Sequence, residues 1–397
     1  MKYKELLERY KNGLASEEEK LIIEQDIEKY EAIEEYLSEI IDDEFTDLTE
    51  LSELEKSRNE TTKLKKSVNK RLNRVVLTSV ALMLSLLLIV FFIISPLVDS
   101  LYYNPAKLTY GKSTTDIEFD MSAVTELNMP GYDVSAVHVE KQGFGMYEIE
   151  YNYINTFSDE YYKVNSKIKR GEIYATHKER YDTNLMFYHI LLKNESLQTM
   201  DEVMDDWKED VVNHIKKLNP VSYVSAGISF KDDLTMEELD NLESKYPKVQ
   251  FVWAGVRTAL PGEDVMDMIG IQLLGSNGVH LDDDIEKKYR AFSIMKWLVN
   301  PVGSGNSDKT LKAQAYEIHY KSLLQYAIDR KEAVNLIESI PWKAEFYQEA
   351  FNYAEKNGVK TYGVLVYAEA EDLIEMIENE QIKFVEFNKA LVSRTNI

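Results

Sequence analysis

Cysteine is absent from all 397 residues. That removes disulfides, thiolate catalysis and cysteine-ligated zinc at one stroke, so any folded part must be held by packing. Histidine is scarce: six residues lie far apart, none before His138, and no His-Glu-x-x-His occurs. There is no Gly-x-Ser-x-Gly nucleophile elbow. The nearest approach to a phosphate loop, residues 303–310, has Asp308 where the motif needs glycine, and its charge opposes phosphate. Its plainer role is a connection, with Ser307 or Asp308 capping the next helix. Three acids at 282–284 lack the alternating ligands and central glycine of a calcium loop, and suit a helix N-terminus. Neither catalysis, nor a cofactor, nor a metal is expected.

Against these absences stands one long apolar run. Residues 75–94, VVLTSVALMLSLLLIVFFII, contain no charge, Asn, Gln, Gly or Pro. At about 1.5 Å per residue they make about 30 Å of helix, the thickness of a bilayer's hydrocarbon core. Residues 63–74 place six cations and no acid before the run, Lys70, Arg71 and Arg74 closest to it. The positive-inside bias then predicts a cytoplasmic N-terminus, a membrane helix over 75–97 and everything beyond outside. The run is too long for a signal peptide, starts 74 residues in and is followed by no small-residue cleavage pattern. After it, Pro96 and Pro105 punctuate a junction in which Tyr102 and Tyr103 suit an interfacial aromatic anchor.

The net charge of −23 is unevenly shared. Residues 1–60 carry 20 acids against 8 bases. Such a segment repels nucleic acid and favours a basic protein partner. Residues 3–11 read as a short amphipathic helix with Tyr3, Leu6, Leu7 and Tyr10 on one face. Asn12-Gly13 is a stop, and Ser16 with Glu19 forms a capping-box start. Leu21, Ile22, Ile27, Tyr30, Ile33, Tyr36, Leu37, Ile40 and Ile41 then keep near-helical spacing. A third helical stretch, 48–67, leads into the span.

Beyond the span the period shifts to two between about 113 and 193. Tyr147, Ile149, Tyr151 and Tyr153 alternate with Glu148, Glu150 and Asn152, as in a half-buried strand. Further strands are expected over 168–176 and 184–192. Their tyrosine faces suit packing against a neighbouring sheet, or a sugar platform. Two strand–helix–strand units follow: strand 223–230, helix 235–245, strand 249–256; then strand 360–367, helix 369–379, strand 383–389. Together they predict a split βαβ sheet of ferredoxin-like type, with helices 283–299, 308–338 and 342–356 inserted between them.

The order short helix, "YKNG" turn, "LASEEEK", "IEKYEAIEEYL" and one span resembles the N-terminal domain of membrane-bound anti-sigma factors of Gram-positive bacteria. The string 234–256, LTMEELDNLESKYPKVQFVWAGV, resembles the C-terminal domain of the sigma factor regulator family, whose members pair such N- and C-terminal domains. Many anti-sigma domains carry a His-x-x-x-Cys-x-x-Cys zinc motif; its positions fall near Asp26, Tyr30 and Ile33, so the resemblance implies a zinc-free version held by apolar packing of Tyr30 and Ile33. It implies an extracytoplasmic-function sigma factor as partner, with Leu6, Leu7, Tyr10, Ile27, Tyr30, Ile33, Tyr36 and Leu37 as contact residues. The expected domains are 1–62 (helical, cytoplasmic), 63–74 (basic), 75–97 (span), 98–220 (β-rich) and 221–397 (α+β, sensing an envelope signal or a second membrane protein). The rival reading is a membrane-anchored envelope-binding protein, holding wall polymer or lipoprotein, whose inner helices are a retention tail.

Overall fold

The structure, a computed structural model, describes residues 3–43, 51–178, 197–260, 267–274, 283–294, 309–338, 340 and 342–393. The chain divides into two compact units, 1–87 and 88–397.

The first unit begins with an antiparallel helical hairpin. Helix α1 (Tyr3–Lys11) ends at Gly13, whose φ of +71° is a left-handed conformation that glycine adopts without strain. Helix α2 (Glu17–Asp43) starts at the capping box: Ser16 N–H donates to Glu19 Oε2 at 2.8 Å, and Glu19 N–H to Ser16 Oγ at 3.3 Å. Helix α3 (Leu51–Ile89) joins the basic segment and the apolar run in one continuous helix. The stretch 65–100 is long and apolar enough to cross a membrane, and its most apolar window is wholly exposed.

In the second unit, a π-helical turn, Val90–Ile94, precedes helix α4 (Ser95–Ser100). Pro96 explains the turn. It lacks an N–H and its ring crowds the preceding turn, so the helix widens and Ser95 N–H bonds back to Val90 O. Helix α5 (Asp116–Asn128) follows, then the strands β1 (Tyr132–Gly143), β2 (Met146–Asn155), β3 (Tyr161–Lys169) and β4 (Glu172–Lys178). These four form an antiparallel meander in chain order. The expected strand over 168–176 is the hairpin joining β3 to β4, turning at Arg170-Gly171. The strand expected over 184–192 lies outside the described residues.

Helix α5 was not legible in the sequence, which reads as β-rich there. Residues 116–127 are buried on nearly every face, so no 3.6-residue stripe marks the helix. Ile117 and Met121 pack under the meander, while Phe119, Ala123, Val124 and Leu127 enter the larger core of the second sheet.

That sheet follows helix α6 (Leu197–Lys216). Its elements are β5 (Tyr223–Thr235), α7 (Met236–Lys245), β6 (Gln250–Val256), β7 (Ile269–Gln272), α8 (Asp283–Lys288), α9 (Lys309–Asp329), α10 (Lys331–Glu338), α11 (Lys343–Asn357), β8 (Lys360–Glu369), α12 (Ala370–Asn379) and β9 (Ile382–Leu391). The strand order is β7-β6-β8-β5-β9, with every neighbouring pair antiparallel. The two strand–helix–strand units therefore interleave: β8 lies between β5 and β6, and β5 between β8 and β9. The helix expected over 308–338 is two helices meeting at Arg330, and helix 283–299 is described only as far as α8 and the turns to 294. Strand β5 runs through Lys231-Asp232-Asp233, where a turn into the helix was expected, with a register shift between Ser229 and Leu234.

Candidate functional site

Two features bear on function, one in each unit. In the hairpin, the short α1 covers only the beginning of α2. Tyr3 Oη donates to Asp26 Oδ2 at 2.9 Å, and Arg9 pairs with Glu19 at 2.7 Å. The Tyr3 hydroxyl lowers the pKa of Asp26, and the Ser16 N–H lowers that of Glu19. Ile23 is fully buried. Nine residues of helix span about 14 Å and α2 runs to about 40 Å, so most of α2 has no partner in α1. The consequence is a row of exposed apolar side chains: Ile27 is 42% exposed, Tyr30 76%, Ile33 56%, Tyr36 64% and Leu37 52%. In α1, Leu7 is exposed, while Leu6 and Tyr10 are half-buried. Glu24, Glu28, Glu31, Glu34 and Glu35 are exposed too. The exposed face of α2 thus combines an apolar row with acids on the faces beside it.

In the second unit the end of the apolar helix is clamped to the β1–β2 turn. Ser95 and Asp99 sit one helical turn apart and are both buried. Ser95 Oγ accepts from Phe144 N–H at 3.0 Å, and Asp99 Oδ1 from Gly145 N–H at 2.6 Å. Lys141 Nζ lies 2.7 Å from Asp99 Oδ2. The turn takes left-handed φ at three successive residues: Gly143 (+83°), Phe144 (+55°) and Gly145 (+73°). A Cβ on Gly143 would stand 2.8 Å from Ser95 Oγ, so the turn needs glycine there for room as well as for conformation.

Beyond α4 the chain enters the unit. Tyr102 is 40% exposed, but Tyr103 is buried, and its hydroxyl donates to Asp120 Oδ2 at 2.6 Å. Of the anchoring residues expected from sequence, Lys70, Arg71, Arg74 and Tyr102 are exposed, while Tyr103 is held inside the unit. Asp120 accepts three more bonds: from Tyr326 Oη, Arg330 Nε and Arg330 Nη2, each at 2.7 Å. Burial pushes Asp120 up against these four donors. Burial also works against the Arg330 charge, but the Asp120 carboxylate outweighs it and raises Arg330. A second buried pair joins α5, through Glu126, to His319 of α9. His319 Nε2 is 2.5 Å from Glu126 Oε1, and Nδ1 donates to Ala291 O at 2.6 Å. Burial disfavours the imidazolium, yet Glu126 and the Ala291 carbonyl carry the pKa of His319 above its ordinary value. Glu126 O accepts from Trp253 Nε1, and Gln272 Nε2 reaches Asp133 at 2.6 Å.

At the far end of β2 the meander is fastened to the five-stranded sheet. Phe157 stacks on Tyr223 with centroids 5.4 Å apart, Thr156 Oγ1 bonds Tyr367 Oη at 2.8 Å, and Lys389 pairs with Glu160 at 3.0 Å. Strand β2 thus bridges the end of the apolar helix and the second sheet.

Residues 215–389, the five-stranded sheet with its helices, match the family model described as sigma factor regulator C-terminal. No curated protein and no solved structure matches the chain. The meander, the apolar helix and the hairpin lie outside the matched segment. Sequence reasoning named the hairpin residues but missed Ser95, Asp99, Phe144, Asp120 and Arg330. A signal existed for the first pair: two polar residues spaced i, i+4 close an apolar helix, ahead of a Gly-Phe-Gly turn.

Proposed function

We propose that this chain is a single-pass membrane anti-sigma factor. Helices α1 and α2 hold an extracytoplasmic-function sigma factor at the inner membrane face and cover the basic surfaces it needs for polymerase and promoter. The outer α+β unit, built on interleaved units of ferredoxin-like type, receives an envelope signal or a second membrane protein. The observation that carries the reading is the family match over 215–389, joined to an apolar row on α2 that the hairpin leaves uncovered. A retention tail has no use for such a row, which weighs against the envelope-binding rival. The cations of residues 63–74 support a cytoplasmic N-terminus. Binding needs no catalysis: apolar contacts hold the partner and exposed acids steer it. The full chain, solubilised in mild detergent from its native membrane, is expected to co-purify with a sigma factor identified by mass. Recovery of wall polymer or lipoprotein without any sigma factor would reverse the conclusion.

A further inference from the structure

The two hairpin turns nearest the apolar helix share one surface. Arg170 N–H, in the β3–β4 turn, donates to Gly145 O in the β1–β2 turn at 2.7 Å. A Cβ on Gly145 would lie 3.3 Å from Arg170 Cγ and 3.4 Å from Tyr102 Cδ2, so both side chains flank the same turn. The clamp on Ser95 and Asp99 fixes the height of this surface at the end of the apolar run. Phe144 reaches further back: its ring packs edge-on against Phe91, centroids 6.0 Å apart, and Phe91 lies within the run. Phe91 lies three residue steps before Ile94, roughly 4 Å below the end of the run at a helical rise of about 1.5 Å or a little less per residue. Phe144 is held there in a left-handed conformation uncommon for an aromatic residue, and strain of this kind marks a position the fold over-determines. Around it Leu97 is 59% exposed, Leu101 76% and Tyr102 40%, while Lys169 and Arg170 are exposed beside them.

We propose that these turns form a lipid-binding surface. Phe144 enters the acyl boundary next to the span; Leu97, Leu101 and Tyr102 lie at the interface. Arg170 and Lys169 meet the phosphates that phospholipid headgroups carry. Aromatic and long basic side chains are suited to this depth, where one end is apolar and the other wet. The outer unit would then rest on the bilayer instead of standing off it on a tether. The inference builds on the reading of residues 75–97 as a span.

The cysteine-free sequence makes the test direct. Full-length chain carrying one labelled cysteine is reconstituted into phosphatidylcholine vesicles. Fluorescence quenching by a shallow acyl-chain nitroxide is compared with quenching by aqueous iodide. Labels at Phe144→Cys and Tyr102→Cys are expected to be quenched from the lipid, and a label at Lys356→Cys from water. In the Phe144→Cys protein, adding Lys169→Glu and Arg170→Glu is expected to shift quenching toward iodide. A label at Ser85→Cys reports the span separately. If Ser85 is quenched from the lipid while 144 and 102 answer only to iodide, the surface is overturned and the span stands. If Ser85 answers to iodide, the span fails and the surface fails with it. Tyr102 keeps the test decisive should Phe144→Cys loosen its turn.

Discussion

Asp99 accepts a 2.6 Å hydrogen bond from Gly145 N–H, across 46 residues of sequence. Both groups are buried, so the end of the apolar helix and the first turn of the meander move as one piece.

Removing that bond has a foreseeable cost. Asp99→Ala leaves the buried Gly145 N–H without a partner and is expected to destabilise the second unit by about 2 kcal/mol, the usual penalty for an orphaned donor. Asp99→Asn keeps an acceptor oxygen and is expected to recover much of the loss. Thermal unfolding of the full chain in detergent, followed by near-ultraviolet circular dichroism, measures both. Equal effects of the two substitutions would show that the charge, and not the hydrogen bond, matters.

Arg330 joins α9 and α10 to α5 through Asp120, with Tyr103 on the same carboxylate. Arg330→Ala strands a buried carboxylate and is expected to cost about 3–5 kcal/mol. Arg330→Lys is expected to rescue little, because an ammonium cannot reproduce the two-pronged contact. Urea unfolding compares the two variants; near-wild-type stability of either would remove this network as a support of the unit.

Stability of the second unit is expected to fall as pH rises from about 4 through neutrality. Burial raises Asp133 from its ordinary value to about 6, so between roughly pH 4 and 6 the folded state binds the extra proton and gains stability as pH drops. His319 is also raised, so its contribution is complete below its ordinary pKa of about 6.5 and is lost as pH climbs through the folded value. Asp133→Asn is expected to flatten the acid part of the slope, and His319→Gln the part above it. Urea midpoints at graded pH read both, and an unchanged slope in either variant sinks its assignment.

On the proposed function, substitutions in the hairpin separate folding from binding. Tyr30 and Ile33 are more than half exposed, so Tyr30→Ala with Ile33→Ala is expected to leave helicity unchanged while the sigma factor dissociates faster. Reversing Glu28, Glu31, Glu34 and Glu35 to Lys is expected to slow association and flatten its salt dependence, since about 0.1 M salt screens exposed charge beyond roughly 10 Å. Surface plasmon resonance across a salt series distinguishes the two. Unchanged rates in both variants would place the partner elsewhere.

The sequence by itself determined the elements whose neighbours in the chain supply the cause. The capping box at Ser16, the stop at Gly13, the apolar helix and both strand–helix–strand units follow from local hydrogen bonds, backbone freedom and periodicity. The apolar stripe of α2 was legible in the same way, but its exposure was not: Tyr30 and Ile33 read as packing residues of the inner domain, and they stand 76% and 56% exposed because a short helix cannot mask a long one. Tertiary structure alone decided the rest. Helix α5 serves two cores at once, so burial on all sides erased its pattern, and Tyr103 passed for an interfacial residue until Asp120 was seen to claim its hydroxyl. The pairs Asp99–Gly145, Asp120–Arg330 and Glu126–His319 join residues 46, 210 and 193 positions apart. No local rule couples such distances. Only burial, which makes an unpaired polar group costly, brings those partners together.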